Sequence, residues 1–355
     1  SICIQKHVGR NGAADPLMTR AYVGVKAGMV IVPADDPFMF SSQNEQDNRY
    51  YGRLAGLPML EPSSVAEAKE MAAYAFELSE ELQQPVLFRT TTRINHSTAV
   101  VTTGPLKARS PKGRFVKDPL NYVPVPVVAR KLHARLLERL EAAEKLAAQS
   151  PLNFTTGDGD WGIVCNGVSH GYVCDALRDL GIRDRVRVLR IGFSHPLPAG
   201  LVTGFLKACS RVLVVEEGEP FMEETFKAFA QEAGLTLPIR GKGPELFSRL
   251  YEFDPAMVKK VIAAYFGKPN PLSVVEKTPV LQHFRYLGPD IIAQDISEIG
   301  TSVLASFNVR YVILDSYQMP GGREREVTLH LTEEIFGDTA PFYRDERLIV
   351  YRVEE

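Results

Sequence analysis

Three polar clusters in this sequence carry residue types that chemistry uses. Residues 6–16, KHVGRNGAADP, set two glycines beside His7 and Asn11 and just ahead of a helix start at Asp15-Pro16. Glycines there let the backbone approach a ligand closely, and a helix start favours anions. Residues 40–51, FSSQNEQDNRYY, offer amide, carboxylate and guanidinium groups that can hold a carboxylate or carbonyl by directional hydrogen bonds. This second stretch reads as an exposed loop, in which Gln46 or Arg49 can be replaced with little effect on stability. Residues 216–219, EEGE, follow an apolar run and precede a helix, where carboxylates stabilise the helix N-terminus by about 0.3–1 kcal/mol each.

Such residues need strands and helices to aim them. Residues 1–105 read as α/β: an N-terminal strand, a helix from Asp15-Pro16, and the short strand GMVIVPADD running into the 40–51 loop. A helix opens at Ser64, where Ser64 and Glu67 fit a capping box and Ala68, Met71, Ala72, Ala75 and Leu78 recur at helical spacing. Residues 85–92, PVLFRTTT, are the next strand. Alternation of this kind implies a largely parallel sheet, with ligands beyond the carboxyl ends of its strands. Residues 106–160 form a proline-rich connector and then a charged helix, about Val127 to Gln149, with Leu132, Leu136, Leu140 and Ala143 on one stripe. Residues 161–268 form a second α/β unit, with a helix from Ser169 to Leu180 ended by Gly181 and another from Pro220 to Ala233. After Lys268-Pro269-Asn270-Pro271 the pattern changes. NVRYVILDS, EVTLHLTEE and ERLIVYRVEE alternate with a period of two, which predicts a small mixed or antiparallel sheet in an α+β segment over 269–355.

Composition narrows the function classes. With 45% hydrophobic and 24% charged residues and a formal net charge of −2, the chain has neither basic tail nor basic stripe for nucleic acid or an acidic membrane surface. No apolar run in 1–268 approaches the roughly 18 residues a membrane span needs, so a cytoplasmic location is expected. Cys3, Cys165, Cys174 and Cys209 are too scattered for iron–sulfur or zinc ligation and read as free thiols.

Taken in order, KHVGxNxAADPLM, VxADDP, SQxEQDxRYYG and FRTTTRxNH, then SHPLP at 194–198 and VVEEGxPF at 214–221, resemble the large subunit of indolepyruvate:ferredoxin oxidoreductase. The match runs in register from Cys3 to about Phe266. The resemblance implies an α/β thiamine-diphosphate fold: a partial pyrimidine-binding domain over 1–105, a linker with a helix over 106–160, and a transketolase C-terminal-like parallel-sheet domain over 161–268. It implies oxidative decarboxylation of an aryl-2-oxo acid to an acyl-CoA, with electrons passing to ferredoxin. Thiamine diphosphate and Mg would be the parent's cofactors, its iron–sulfur clusters would lie outside this chain, and a beta subunit would be the partner. His7, Asn11, Gln43, Glu45, Gln46 and Arg49 would border cofactor and substrate, with no catalytic residue and no metal ligand assigned.

Several departures set expectations too. The Glu that activates the aminopyrimidine is expected before Ser1, so this chain alone is expected to be inactive. A cysteine-rich opening of the diphosphate domain is expected after Phe266, where GKPNPLSVVEK stands instead. The family's metal motif is Gly-Asp-Gly with an Asn some 25 to 30 residues later. In TGDGDWG at 156–162 the nearest Asn, Asn166, comes too early, so a Gly-Asp turn before an edge of the second sheet is expected. Residues 269–355 resemble nothing in that subunit and are only faintly similar to the extramembrane domain of glycosyltransferase-like membrane proteins. An artificial join of two gene fragments would account for both missing ends; a non-catalytic α/β interaction module is the alternative from another class. The β chain of a 2-oxo acid dehydrogenase shares the transketolase-like domain, and the 41–51 loop argues against it.

Overall fold

The computed structural model describes residues 1–104, 116–269, 301, 304, 311–315, 323–337 and 339–353. Chain order runs β1 (Ile2–Lys6), α1 (His7–Gly12), α2 (Ala14–Val23), β2 (Val30–Asp35), α3 (Arg49–Ala55), β3 (Met59–Leu60), α4 (Val65–Leu82), β4 (Val86–Phe88), β5 (Thr90–Thr91) and α5 (Thr92–Asn95). It continues through α6 (Pro119–Tyr122), α7 (Pro126–Gln149), β6 (Asn153–Thr156), β7 (Trp161–Asn166), α8 (Ser169–Asp179), β8 (Val186–Ile191), β9 (Phe193–His195), α9 (Ala199–Lys207), β10 (Arg211–Val215), α10 (Phe221–Glu232), β11 (Ile239–Arg240) and α11 (Pro255–Tyr265). The α/β class read from the sequence is the observed one.

Two sheets organise this part. In the first the order is β1-β2-β4-β3-β9, with β5 also on β2; all pairs are parallel except β3 with β9. In the second the order is β11-β10-β7-β8-β6, parallel except for β6 on β8. Thus β9, just after the second sheet's β8, extends the first sheet. The connector contributes β6 as an edge of the second. One apolar core draws Ile31, Met59 and Leu87 from the first sheet together with Val164, Leu189 and Val214 from the second. All of this lies in one compact unit, Ser1–Asn270.

Local chemistry explains the elements that hold the site. Val30, Ile31 and Val32 are β-branched and buried, as a strand covered on both faces requires. Ser64 Oγ accepts from Glu67 N at 3.2 Å, while the Glu67 carboxylate turns back to Ser63 N at 2.6 Å, a capping box displaced by one residue. Met71, Ala75, Leu78 and Leu82 of α4 then pack on the first sheet. On α7, Leu136 joins the shared core, Ala143 and Ala147 the α4 cluster, and Val128 and Leu132 a small cluster with Val23.

Within this unit two expectations about elements change. Residues 7–12, read as loop, form α1, and β7 lies inside the second sheet between β10 and β8 rather than at its edge.

A second unit, Pro271–Glu355, contains β12 (Tyr311–Asp315), α12 (Arg323–Phe336), β13 (Tyr343–Arg344) and β14 (Leu348–Arg352). The strands form an antiparallel sheet in the order β12-β14-β13. EVTLHLTEE is helix, not strand: α12 sets Leu329, Ile335 and Phe336 against Leu314 and Tyr351. The connector's Pro105 and Pro111, and the stretch that follows Pro269, lie outside the described residues.

Candidate functional site

Ionisable and polar side chains collect where the parallel strands of both sheets end. In the first sheet β1 ends at His7, β2 at Asp35-Asp36, β3 at Glu61 and β4 at Arg89. In the second, β7 ends at Asn166 and β10 at Glu216-Glu217. All of these side chains are buried. Burial of so many charges is costly unless each is paired and hydrogen-bonded, and here nearly all are.

Two arginines anchor the network. Arg89 Nε donates to Asp35 Oδ2 at 2.6 Å and its Nη1 to Glu61 Oε2 at 2.5 Å; Asn166 Nδ2 reaches the same Glu61 oxygen at 3.0 Å from the second sheet. Asn48 donates to Asp35 through both its backbone N–H (3.1 Å) and its side-chain amide. Arg49, fully buried, pairs with Asp47 and with Glu216, and its Nη2 donates to the carbonyls of Glu217 at 2.7 Å and Glu219 at 2.8 Å. Glu216 also accepts from Met222 N and Glu223 N, so it caps α10 as its place before a helix suggested.

Environment separates the carboxyls. Burial raises Asp35 above the ordinary carboxylate range although Arg89 opposes it. Burial opposes ionisation of Asp36 too, but donors from Ser42, Ser41, Phe40 and Lys6 hold it at about 2. Asp47 is held low by Arg49 against its burial. Glu45 is pushed up to about 7 by burial and by Asp47, with Asp35 and Glu219 adding to this and Arg89 opposing it. Lys242, whose ammonium donates to the Glu216 and Ser248 carbonyls, is lowered to about 8 by burial.

The six residues expected at the site divide into distinct situations. His7 is buried, with Nε2 at 2.7 Å from the Asn44 carbonyl and Nδ1 without a partner among the described residues. Asn11 accepts from the Tyr51 hydroxyl at 2.7 Å on the exposed side of α1. Gln43 is exposed, and Gln46 Nε2 donates to Asn44 Oδ1 at 3.0 Å. Glu45 is half-buried against Gly218, where an added Cβ would lie 3.3 Å from its Oε1 and 2.9 Å from Asp47 Oδ2. Arg49 does not lie on an exposed loop. Its guanidinium is fully buried and engaged by two carboxylates and two carbonyls. Sequence reasoning passed over Asp35, Glu61 and Arg89, and weighed Asn166 only as a partner of the 157–160 turn. The one signal available was position, since Asp35 and Asn166 directly end strands of parallel sheets.

Metal and diphosphate chemistry finds less support. Among the described residues no group of three or more His, Cys, Asp or Glu side chains is placed to hold a metal ion. Residues 157–160 precede β7 and lie at the amino ends of the parallel strands, opposite the site. There the Asp158 and Gly159 carbonyls accept from Arg187, at 2.8 and 3.2 Å. Gly159 sits so close to Arg185 that a Cβ would fall 2.1 Å from its backbone. Cys3, Cys165, Cys174 and Cys209 are all free. The SHPLP stretch borders a cavity of about 300 Å³ with Arg53, Glu144, Phe221 and Phe229, in which burial lowers His195 to about 4.

No family model matches the chain. It is 46% identical over 273 residues to "Indolepyruvate oxidoreductase subunit IorA" of Methanothermobacter thermautotrophicus, covering 76% of this chain and 44% of that protein. The subunit of the same name from Thermococcus kodakarensis is 44% identical over 278 residues (76% and 42%), and that from Archaeoglobus fulgidus 41% over 273 (76% and 43%). The chain thus spans less than half the length of these relatives. Among solved structures, the 2-oxoglutarate:ferredoxin oxidoreductase from Magnetococcus marinus, with 2-oxoglutarate, coenzyme A and succinyl-CoA bound, superposes with a TM-score of 0.53 at 13% identity. That match covers 74% of this chain and 53% of the other and is a likeness of fold. Among the described residues no helix is long and apolar enough to cross a membrane.

Proposed function

We propose that this chain, a relative of the indolepyruvate oxidoreductase subunit IorA, is one part of a thiamine-diphosphate-dependent 2-oxo acid oxidoreductase. The whole enzyme would oxidatively decarboxylate an aryl-2-oxo acid, indolepyruvate foremost, pass the electrons to ferredoxin and release an acyl-CoA. Its partner would be a beta subunit. The observation that carries this reading is the buried charged network at the carboxyl ends of both sheets. It is held across the sheets by Arg49–Glu216 and Asn166–Glu61, in a chain of which 76% aligns with an IorA subunit.

The residues present suit one end of the cofactor. His7 Nδ1, buried and without a partner among the described residues, is an acceptor because Nε2 donates to the Asn44 carbonyl; it and the half-buried Glu45 carboxylate could accept from the N–H groups of an aminopyrimidine. The metal-bound diphosphate has no comparable set among the described residues, so that end would be held elsewhere in the enzyme. Bound there, the cofactor would supply the nucleophilic carbon and the electron sink that decarboxylation of a 2-oxo acid needs. What this chain contributes is placement. The Arg49 and Arg89 clusters fix the 40–51 loop, and the joined loops at 45–48 and 216–219 keep water from the inner carboxylates.

The test is ferredoxin reduction by the complete protein with its partner subunit, supplied with indole-3-pyruvate, coenzyme A, thiamine diphosphate and Mg²⁺. Reduction that needs all four components supports the reading. Gln46→Ala should then lower kcat/KM by about tenfold, or about 1.4 kcal/mol. Absence of reduction with every aryl-2-oxo acid tried would overturn it.

A further inference from the structure

Among the carboxylates gathered at these strand ends, Glu45 stands apart. Asp35 has Arg89 and Asn48, Asp36 has Ser42 and two backbone N–H groups, and Asp47 has Arg49. Glu61 has Arg89 and Asn166, Glu216 has Arg49, Glu217 has Phe253 N and Glu219 has Arg249. Among the described residues none donates to Glu45 or pairs with it. Loops from both sheets nevertheless meet beside it, since Gly218, at φ +68°, leaves the room its carboxyl occupies. A half-buried carboxylate without a donor is destabilising, and a ligand that brings one restores the missing bond.

The surroundings select what that donor can be. The charged groups acting on Glu45 are Asp47 from its own loop, Asp35 from the end of β2, Glu219 from the loop after β10, and Arg89 from the end of β4. Three of the four are anions, and Arg89 is already bound to Asp35 and Glu61. The local field therefore repels a substrate carboxylate or a phosphate and favours a neutral or cationic N–H donor.

We propose that Glu45 accepts a hydrogen bond from a ring-borne N–H group of the bound ligand, and that the Arg49–Asp47–Glu216 clamp is what positions it. This rests on the functional reading above. Two sources share the chemistry: the aminopyrimidine of thiamine diphosphate and the indole N–H of an indolyl-2-oxo acid. Because the acceptor is the ionised carboxylate and Glu45 gives up its proton only near pH 7, affinity should rise with pH up to about 7 and level off above it.

Calorimetric titration of the complete protein with its partner subunit separates the possibilities, with Glu45→Ala and the isosteric Glu45→Gln as variants. The titrants are thiamine diphosphate with Mg²⁺, indole-3-pyruvate, and phenylpyruvate, which has the same keto acid but no ring N–H. If the indole is the donor, Glu45→Ala weakens indole-3-pyruvate by about tenfold or more and leaves phenylpyruvate unchanged. If the aminopyrimidine is the donor, thiamine diphosphate weakens by about tenfold and the two keto acids keep their ratio. In either case Glu45→Gln flattens the rise of affinity with pH, and Arg49→Lys weakens the same ligand as Glu45→Ala does. Unchanged affinities for all three ligands in both Glu45 variants would overturn the assignment while leaving the oxidoreductase reading intact. Wild-type protein that binds none of the three would overturn both.

Discussion

Arg49→Ala is the sharpest test of how the site is built. The side chain is fully buried and its two carboxylate partners, Asp47 and Glu216, are 4% and 0% exposed. Removing it strands both carboxylates and leaves the Glu217 and Glu219 carbonyls without their donor. Breaking a buried ion pair from one side costs about 3–5 kcal/mol. A whole domain is stable by only about 5–15 kcal/mol, and in domains of this size each kcal/mol moves the melting temperature by about 2–4 °C. A fall of about 10 °C is therefore expected, measured by calorimetry or urea titration at pH 7.5. Part of it should return as the pH is lowered, because Glu216, already raised by burial, then takes up a proton. Arg49→Lys should lie between, since an ammonium keeps the charge but not the planar fork. Glu216→Gln added to Arg49→Ala should recover stability, with a coupling of about 1.5 kcal/mol or more. A single variant melting within about 2 °C of wild type would show that Arg49 is not the clamp described.

Other expectations follow from particular groups. Glu45 titrates at about 7 in the folded chain against 4.5 when unfolded, so the fold loses stability as pH rises between those values; Glu45→Gln should be more stable than wild type at pH 8 by about 1 kcal/mol after solvent screening, and equal to it at pH 4. His195, lowered to about 4 from 6.5, has the complementary effect: stability is lost as pH falls from 6.5 towards 4, and urea midpoints of His195→Gln should show a shallower loss. Asp158→Ala should leave thiamine diphosphate and Mg²⁺ affinity within about twofold, because its loop is at the amino ends of the strands; a tenfold loss by calorimetry would restore it as a metal ligand. Anaerobic reconstitution with iron and sulfide should leave the chain colourless, and a stoichiometric cluster absorption band would contradict the reading of four separate thiols.

Elements whose cause is local were legible in the sequence. The Ser64 cap and the Met71–Ala75–Leu78 stripe place α4, and Gly181 ends α8, because caps and periodicity act over a few residues. α1 was not legible. It carries two glycines and has no side-chain cap, so propensity opposes it and burial of His7 and Arg10 decides. EVTLHLTEE failed for a related reason: three alternations are too short a window to separate a strand from one face of a helix, and the partner that settles it, Tyr351 stacked on Phe336, is distant in sequence. The site shows the same division. The 7–12 and 40–51 segments were visible as polar clusters after strands, whereas Arg49's second carboxylate partner, Glu216, lies 167 residues away and nothing near Arg49 announces it.

That long-range pairing bears on what the loop is for. If stability alone were served, apolar side chains of similar volume at Arg49 and Glu216 would be as good or better, because two desolvated charges rarely regain what they lose in water. What an ion pair adds is direction. The guanidinium fixes Asp47 and two carbonyls in one geometry, which sets where the next carboxyl along the loop, Glu45, can stand. The cost is visible at Glu45 itself, which lacks a donor among the described residues and is crowded by three anions. Strain of this kind gathers where a ligand relieves it. An Arg49→Met, Glu216→Leu protein should therefore separate the two roles: about as stable as wild type or more so, yet weaker in binding whichever ligand Glu45 receives. Equal loss of stability and binding would mean that the clamp serves folding only.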